Sequence, residues 1–144
     1  MIIGEEDMKK KNRLKVLYAF VILALTMLAC EFSFSTAEIT DAYMSNDENG
    51  TSPTTVFDGS DIFYCVVKTN NAPSDTLVKV EWYAVDVDLE DIAPNTLLDS
   101  YELEGDDGFT FSLSNDYLWP IGLYRVDIFL NGEFHSSVNF SVSE

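Results

Sequence analysis

Positive charge is scarce in this chain. Of 144 residues, 8 are Lys or Arg against 25 Asp or Glu, a formal net charge of −17. Proteins that bind nucleic acid need a basic footprint to displace counterions from phosphates, so that class is excluded. Histidine occurs once, as His135, and cysteine twice, as Cys30 and Cys65. Any histidine-based metal site or Ser-His pair must therefore use His135, and zinc lacks ligands. The alternation of the last apolar segment puts His135 on an outward strand face beside Ser137, as an ordinary solvated residue. No Gly-x-Ser-x-Gly elbow, Cys-x-x-Cys, His-Glu-x-x-His or phosphate-binding loop occurs. Long apolar runs are also missing: the longest, Val16 to Ala29, has 14 residues, short of the roughly 20 that cross a bilayer. After residue 30 no window keeps helical apolar spacing for three turns. These absences argue against an enzyme.

What is present begins with asymmetry. Lys9, Lys10, Lys11, Arg13 and Lys15 precede the apolar run, and only Lys68, Lys79 and Arg125 follow it. From Cys30 onward 22 acids face 3 cations, so that part carries 3 − 22 = −19. A basic stretch followed by about 7–15 apolar residues is the layout of a secretory signal. Residues 1–29 are therefore read as a signal segment, helical in its apolar part. The acidic stretch Met1 to Asp7 is foreign to that layout and places the expected start at Met8.

The run ends Thr26-Met27-Leu28-Ala29-Cys30-Glu31. A small residue followed by cysteine at this place resembles the lipobox of bacterial lipoproteins, although that family usually has Leu where Met27 stands and a small or β-branched residue where Leu28 stands. The resemblance implies cleavage before Cys30 and a covalent lipid on its sulfur, with a further, palmitate-like acyl chain on the new amino terminus. Residues 30–36 would then be a lipidated tether. More than one acyl chain is needed for stable anchoring. The alternatives are ordinary secretion with cleavage near Ser35-Thr36-Ala37, where small residues recur at the required spacing, and an uncleaved anchor. If Cys30 carries lipid, Cys65 is the one remaining thiol, and a lone thiol in an exported domain is most often a small buried hydrophobe.

Residues 37–144 read as an all-β domain. Ile62 to Val67 is a continuous apolar run fit for a central strand. Val78, Val80, Trp82 and Ala84 share one face of Leu77 to Asp86, with Lys79, Glu81 and Tyr83 on the other. Alternation also marks Phe109 to Leu113, Tyr124 to Leu130 and Phe134 to Val142, the last with Phe134, Ser136, Val138, Phe140 and Val142 on one face. Ala37–Met44, Thr54–Phe57 and Leu97–Leu103 are shorter candidates. Val87 to Ala93 offers at most one helical turn before Pro94. Asn131-Gly132 joins two alternating runs and signals a two-residue hairpin of type I′. Seven or eight strands at this spacing predict a two-sheet antiparallel sandwich.

Cys65, then Trp82, then Gly122-Leu123-Tyr124-Arg125-Val126 resembles the pattern of immunoglobulin-like domains. Those domains place a cysteine on the second strand, a tryptophan on the third and Gly-x-Tyr-x-Cys on the sixth. The resemblance implies that Tyr124 is a tyrosine corner, bonding back to the backbone. It also implies that Cys65, Trp82 and Val126 meet in the core. Val126 stands where the family has its second cysteine, so the inter-sheet disulfide is absent.

Two features could carry binding. Acids cluster at Asp47-Glu48-Asn49, at Asp86, Asp88, Glu90 and Asp91, and at Glu104, Asp106 and Asp107. Calcium needs six or more oxygens bent inward, and no cluster has the remaining ligands of a calcium loop. The expectation is no metal, with calcium as the alternative, and no cofactor beyond the lipid on Cys30. Tyr117 and Trp119 in the loop before Gly122 offer a stacking platform for a sugar or a peptide anchor. Trp119-Pro120 fits equally as a cap on the core. Tyr64, Tyr83 and Phe129 fall opposite the expected core and would mark a partner surface if exposed together. The glycosylation sequons at Asn49 and Asn139 are read as chance. The expected protein is a non-catalytic extracytoplasmic lipoprotein at the cell membrane or cell surface. Its partners would be the bilayer and an unidentified protein or glycan. The alternative is a spacer or accessory subunit of a cell-envelope complex.

Overall fold

The computed structural model describes residues 36–144, together with Asn12, Arg13 and Lys15. Met8, the run Val16 to Ala29 and Cys30 lie outside these residues, as does most of the tether. Among the described residues no helix is long and apolar enough to cross a membrane.

The chain forms eight strands: β1 (Glu38–Ser45), β2 (Val56–Asp58), β3 (Phe63–Asn70), β4 (Leu77–Val87), β5 (Thr96–Glu104), β6 (Phe109–Leu113), β7 (Gly122–Leu130) and β8 (Glu133–Ser143). They form two sheets, ordered β1-β3-β6 and β2-β8-β7-β4-β5. Every pairing is antiparallel except that of the three-residue β2, which runs parallel to β8. Each segment read as a strand from alternation is a strand here, and of Val87 to Ala93 the first residue ends β4 and the rest form a turn closed by Ile92 N–H donating to the Leu89 carbonyl at 3.1 Å.

Between the sheets lies one apolar core. β4 alternates strictly: Val78, Val80, Trp82 and Ala84 are buried, and the residues between them are half-buried. Cys65, Trp82 and Val126 are each fully buried within the same cluster, and Trp82 and Val126 are register partners. Cys65 is a free thiol, and its loss of water pushes its pKa up to about 12. Phe140 packs edge-on to Phe57, Phe63 and Trp82, and its ring stacks on Tyr124.

One expected face is corrected. Phe134 is not in line with Val138, Phe140 and Val142 but 60% exposed. The β7–β8 register shifts between Ile128 and Phe129, so Phe134 pairs with Phe129 and packs on it at 5.8 Å on the outer face. A bulge moves every residue beyond it to the other side of the sheet.

The connections sort to two ends. Asn131 and Gly132 turn at one end with φ of 49° and 83°. Asn131 is tied to Leu77 by its backbone N–H at 2.8 Å and by its side-chain oxygen, which accepts the Leu77 N–H at 2.9 Å. The chain enters the sandwich at this same end, where Glu38 pairs with Asn70. The loops 59–62, 88–95 and 114–121 lie at the opposite end.

Candidate functional site

At that opposite end two loops frame a pocket of about 530 Å³. Strand ends supply its floor: Ala84 from β4, Leu98 from β5, Leu113 from β6 and Tyr124 from β7. The 88–95 loop adds Leu89 and Ile92, and the 114–121 loop adds Asn115 and Tyr117 to Pro120. Pockets of this size and apolar character suit small ligands or a single side chain.

The frame is held by hydrogen bonds that local sequence dictates. Tyr124 donates its hydroxyl to the Pro120 carbonyl at 2.6 Å, the tyrosine corner, and burial raises its pKa to about 12. Gly122 sits at φ 147°, and a Cβ there would meet the Asp86 carbonyl oxygen at 2.3 Å and the Val87 Cα at 2.6 Å. Only glycine lets the two backbones approach this closely. Asp88 N–H donates to the Ile121 carbonyl at 2.8 Å, joining the loops. Asn95, at φ 59°, closes the 88–95 loop with its N–H on the Val85 carbonyl and its side-chain oxygen on Arg125 Nη1 at 3.2 Å.

The two aromatic candidates divide. Trp119 is buried; its ring stacks on Phe63 at 4.7 Å and its Nε1–H donates to the Asp61 carbonyl at 3.0 Å. It caps the core, and it also forms part of the pocket wall. Tyr117 is 82% exposed and Leu118 73%. Together they form a ridge between the pocket and a second depression of about 410 Å³ lined by Gly59, Ser60, Asp61 and Asp116. Leu89, Ile92, Leu98, Asn115 and Asp99 belong to the site and were not read from sequence. The three-residue spacing of Leu89 and Ile92 in an otherwise acidic loop was the available signal.

Chemically the pocket offers apolar walls, one aromatic ridge, the Asn115 amide and the Asp99 carboxylate, which accepts the Tyr101 hydroxyl at 2.7 Å. His135 is exposed on β8, and its Nδ1 lies 2.9 Å from Ser136 Oγ. Ser137 instead donates to Asp127 at 2.6 Å. Among the described residues no three His, Cys, Asp or Glu side chains converge as a metal site. Asp47 is engaged locally. Its carboxylate accepts the Thr51 backbone N–H and Thr51 hydroxyl, both at 3.0 Å, and the Ser45 hydroxyl at 3.3 Å. The Thr51 N–H is the leading cause that lowers its pKa to about 2. The acids at 86–91 and at 104–107 lie in different connections, at opposite ends of the sandwich.

Tyr64, Tyr83 and Phe129 do not form a shared patch. Tyr64 lies on the three-stranded sheet, whereas Tyr83 and Phe129 lie on the outer face of the five-stranded one. Both are half-buried under cations: Lys79 Nζ stands 4.2 Å from the Phe129 ring centre and Arg125 Cζ 4.7 Å from that of Tyr83. Between these pairs Glu81 and Asp127 are direct cross-strand neighbours. Each is balanced on its own strand, Glu81 by Lys79 and Asp127 by Arg125, both at 2.8 Å.

No protein-family model matches the sequence, and no curated protein matches it. Among solved structures the chain is similar to an immunoglobulin-like protein from Pseudomonas aeruginosa, at 12% identity and a TM-score of 0.50, covering 77% of this chain and 99% of that one. An alkylpurine DNA glycosylase from Pseudomonas fluorescens gives 13% identity and a TM-score of 0.46 over 76% of this chain. A β-glucosidase variant from Listeria innocua gives 17% and 0.48 over 77%. The chain spans 31% of the glycosylase and 16% of the β-glucosidase. At such identities the likeness concerns architecture: the described residues form an immunoglobulin-like two-sheet sandwich.

Proposed function

We propose that the chain is a lipid-anchored extracytoplasmic module that binds a partner rather than catalysing a reaction. The anchor is Cys30, acylated after removal of residues 1–29. The supporting observation is polarity: the chain enters at Glu38, and the framed pocket lies at the other end of the strands. Strands of 9–11 residues at ~3.4 Å per residue put about 30 Å between the two ends. A tether of seven residues spans at most roughly 24 Å, so an anchor at the entering end leaves the pocket end unobstructed. The pocket holds no histidine, cysteine or lysine, and its one carboxylate, Asp99, is engaged by the Tyr101 hydroxyl at 2.7 Å.

A second reading, a spacer or accessory subunit, is favoured by a different surface. Leu97, Leu123 and Phe134 are exposed on the outer face of the five-stranded sheet, where a larger assembly would cover them. Crosslinking in intact membranes separates the two. A stoichiometric partner lost with Leu123→Glu and Phe134→Glu supports the subunit, and one lost with Tyr117→Ala and Leu118→Ala supports the binding module. No partner and no glycan retained at either surface contradicts both.

A further inference from the structure

Four strands form the edges of the two sheets: β1 and β6 of one, β2 and β5 of the other. An edge presents unpaired N–H and C=O groups and is normally guarded by charge, proline, a bulge or shortness. β1 carries Glu38 and Asp41 and breaks register between Ile39 and Asp41. β2 has three residues. β5 carries Asp99, Glu102 and Glu104 and breaks register against β4 between Trp82 and Tyr83. β6 has no such guard. Phe109-Thr110-Phe111-Ser112-Leu113 is uncharged, lacks proline and pairs with β3 in unbroken register.

An apolar ledge lies beside this open edge. Tyr101 and Leu103 pair with Val80 and Val78, both fully buried, so they point to the inner side of their sheet. Each is nevertheless 44% exposed, because β5 overhangs the narrower sheet and no other described element covers it. At its upper end the ledge continues through Asp99, Leu98 and Leu113 into the pocket.

Charge identifies the occupant. Residues 88–121 supply β5, β6 and both pocket loops, and they contain 9 acids and no Lys, Arg or His. Of the sandwich's cations, Lys79 and Arg125 lie on the far face of the five-stranded sheet and Lys68 on β3. A second copy would bring the same uncompensated acids to this edge and be repelled. We propose that β6 accepts an added strand from a partner, an extended basic polypeptide segment with alternating apolar residues. Its backbone pairs with Phe109–Leu113, one face lies on Tyr101 and Leu103, and its basic side chains meet Asp106 and Asp107 at one end and Asp116 at the other. Main-chain pairing gives such strand addition its affinity, and alternate side chains give its specificity. The inference rests on the binding-module reading and adds the chemistry of the partner.

The test titrates the full-length chain in detergent with an alternating Val-Lys peptide of about ten residues, two strand lengths at most. An alternating Val-Glu peptide and a block Lys-then-Val peptide are the comparisons. The proposal predicts saturable binding of the Val-Lys peptide alone, with amide exchange slowed about tenfold or more at alternate residues of β6. Leu103→Glu weakens binding about tenfold or more, while Leu123→Glu on the far face leaves it unchanged. Equal binding of the block peptide, unchanged exchange in β6 at saturation, or indifference to Leu103→Glu overturns it. If a membrane partner lost with Tyr117→Ala is still captured when the Val-Lys peptide fails, strand addition falls and the binding module stands. If both fail, both readings fall.

Discussion

Cys65 shows what a single side chain must satisfy in this core. It is surrounded by apolar groups and has no polar partner to offer a hydroxyl, so Cys65→Ser places an unsatisfied donor in the core. The expected loss is about 1–3 kcal/mol, read as a lower urea midpoint at unchanged slope. Alkali tests the same site together with Tyr124. Both groups hold their protons to about pH 12 when folded, against 9.0 and 10.0 when free. The unfolded chain releases these protons first, so the stability they contribute is full below pH 9 and is lost progressively between pH 9 and 12. Melting temperatures across that window should fall, and Tyr124→Phe with Cys65→Ala should flatten the fall. Trp82 and Tyr124 were legible in the sequence because each sits in an alternating run, and Cys65 because it sits in a continuous apolar run fit for a central strand. The division between Trp119 and Tyr117 was not, because two aromatics separated by one residue in a loop carry no period that says which turns inward. Only the stacking on Phe63 and the bond to Asp61 decide it.

Among the elements, the glycines of β7 and of its hairpin make the same substitution cost different amounts. At Gly132 a Cβ meets nothing within 4 Å, so Gly132→Ala costs only the left-handed backbone preference, about 1 kcal/mol. At Gly122 the Cβ would overlap the backbone of Asp86 and Val87, and Gly122→Ala should cost about 3 kcal/mol or more. It should also loosen the 88–95 loop, visible as faster amide exchange at Asp88. A cost at Gly122 no larger than at Gly132 contradicts the close approach. The strands themselves were legible because period-two burial is written directly in β4, β6 and β7. The bulges were not. A register shift comes from how two strands meet, so Phe134 reads as core along its own strand and is turned outward only by its pairing with Phe129.

For the whole molecule, the dominant fact is unbalanced acid. A domain carrying 22 acids and 3 cations after residue 29 is destabilised by self-repulsion, which salt screens. Adding about 0.5 M NaCl should raise the melting temperature by roughly 2–4 °C. A drop in melting temperature would show instead that local ion pairs such as Arg125–Asp127 outweigh the net field. The charge imbalance was plain in the sequence, but its concentration on the β5–β6 side was not. It depends on sheet order, which sends Lys79 and Arg125 to the far face. The pocket was hidden for the same reason, since Leu89, Leu98 and Leu113 come together only where the β4–β5 loop and β5 meet the end of β6 from the other sheet.

In the proposed function, an exported sandwich is held by lipid at its amino terminus. Intact mass of the protein extracted from the membranes of cells that make it tests this most directly. The proposed anchor predicts a chain that begins at Cys30, heavier than its polypeptide by its acyl chains, and a Cys30→Ser variant that loses both the added mass and the membrane fraction. A mature chain that lacks Cys30, or one that keeps residues 8–29 with Cys30 unmodified, contradicts it.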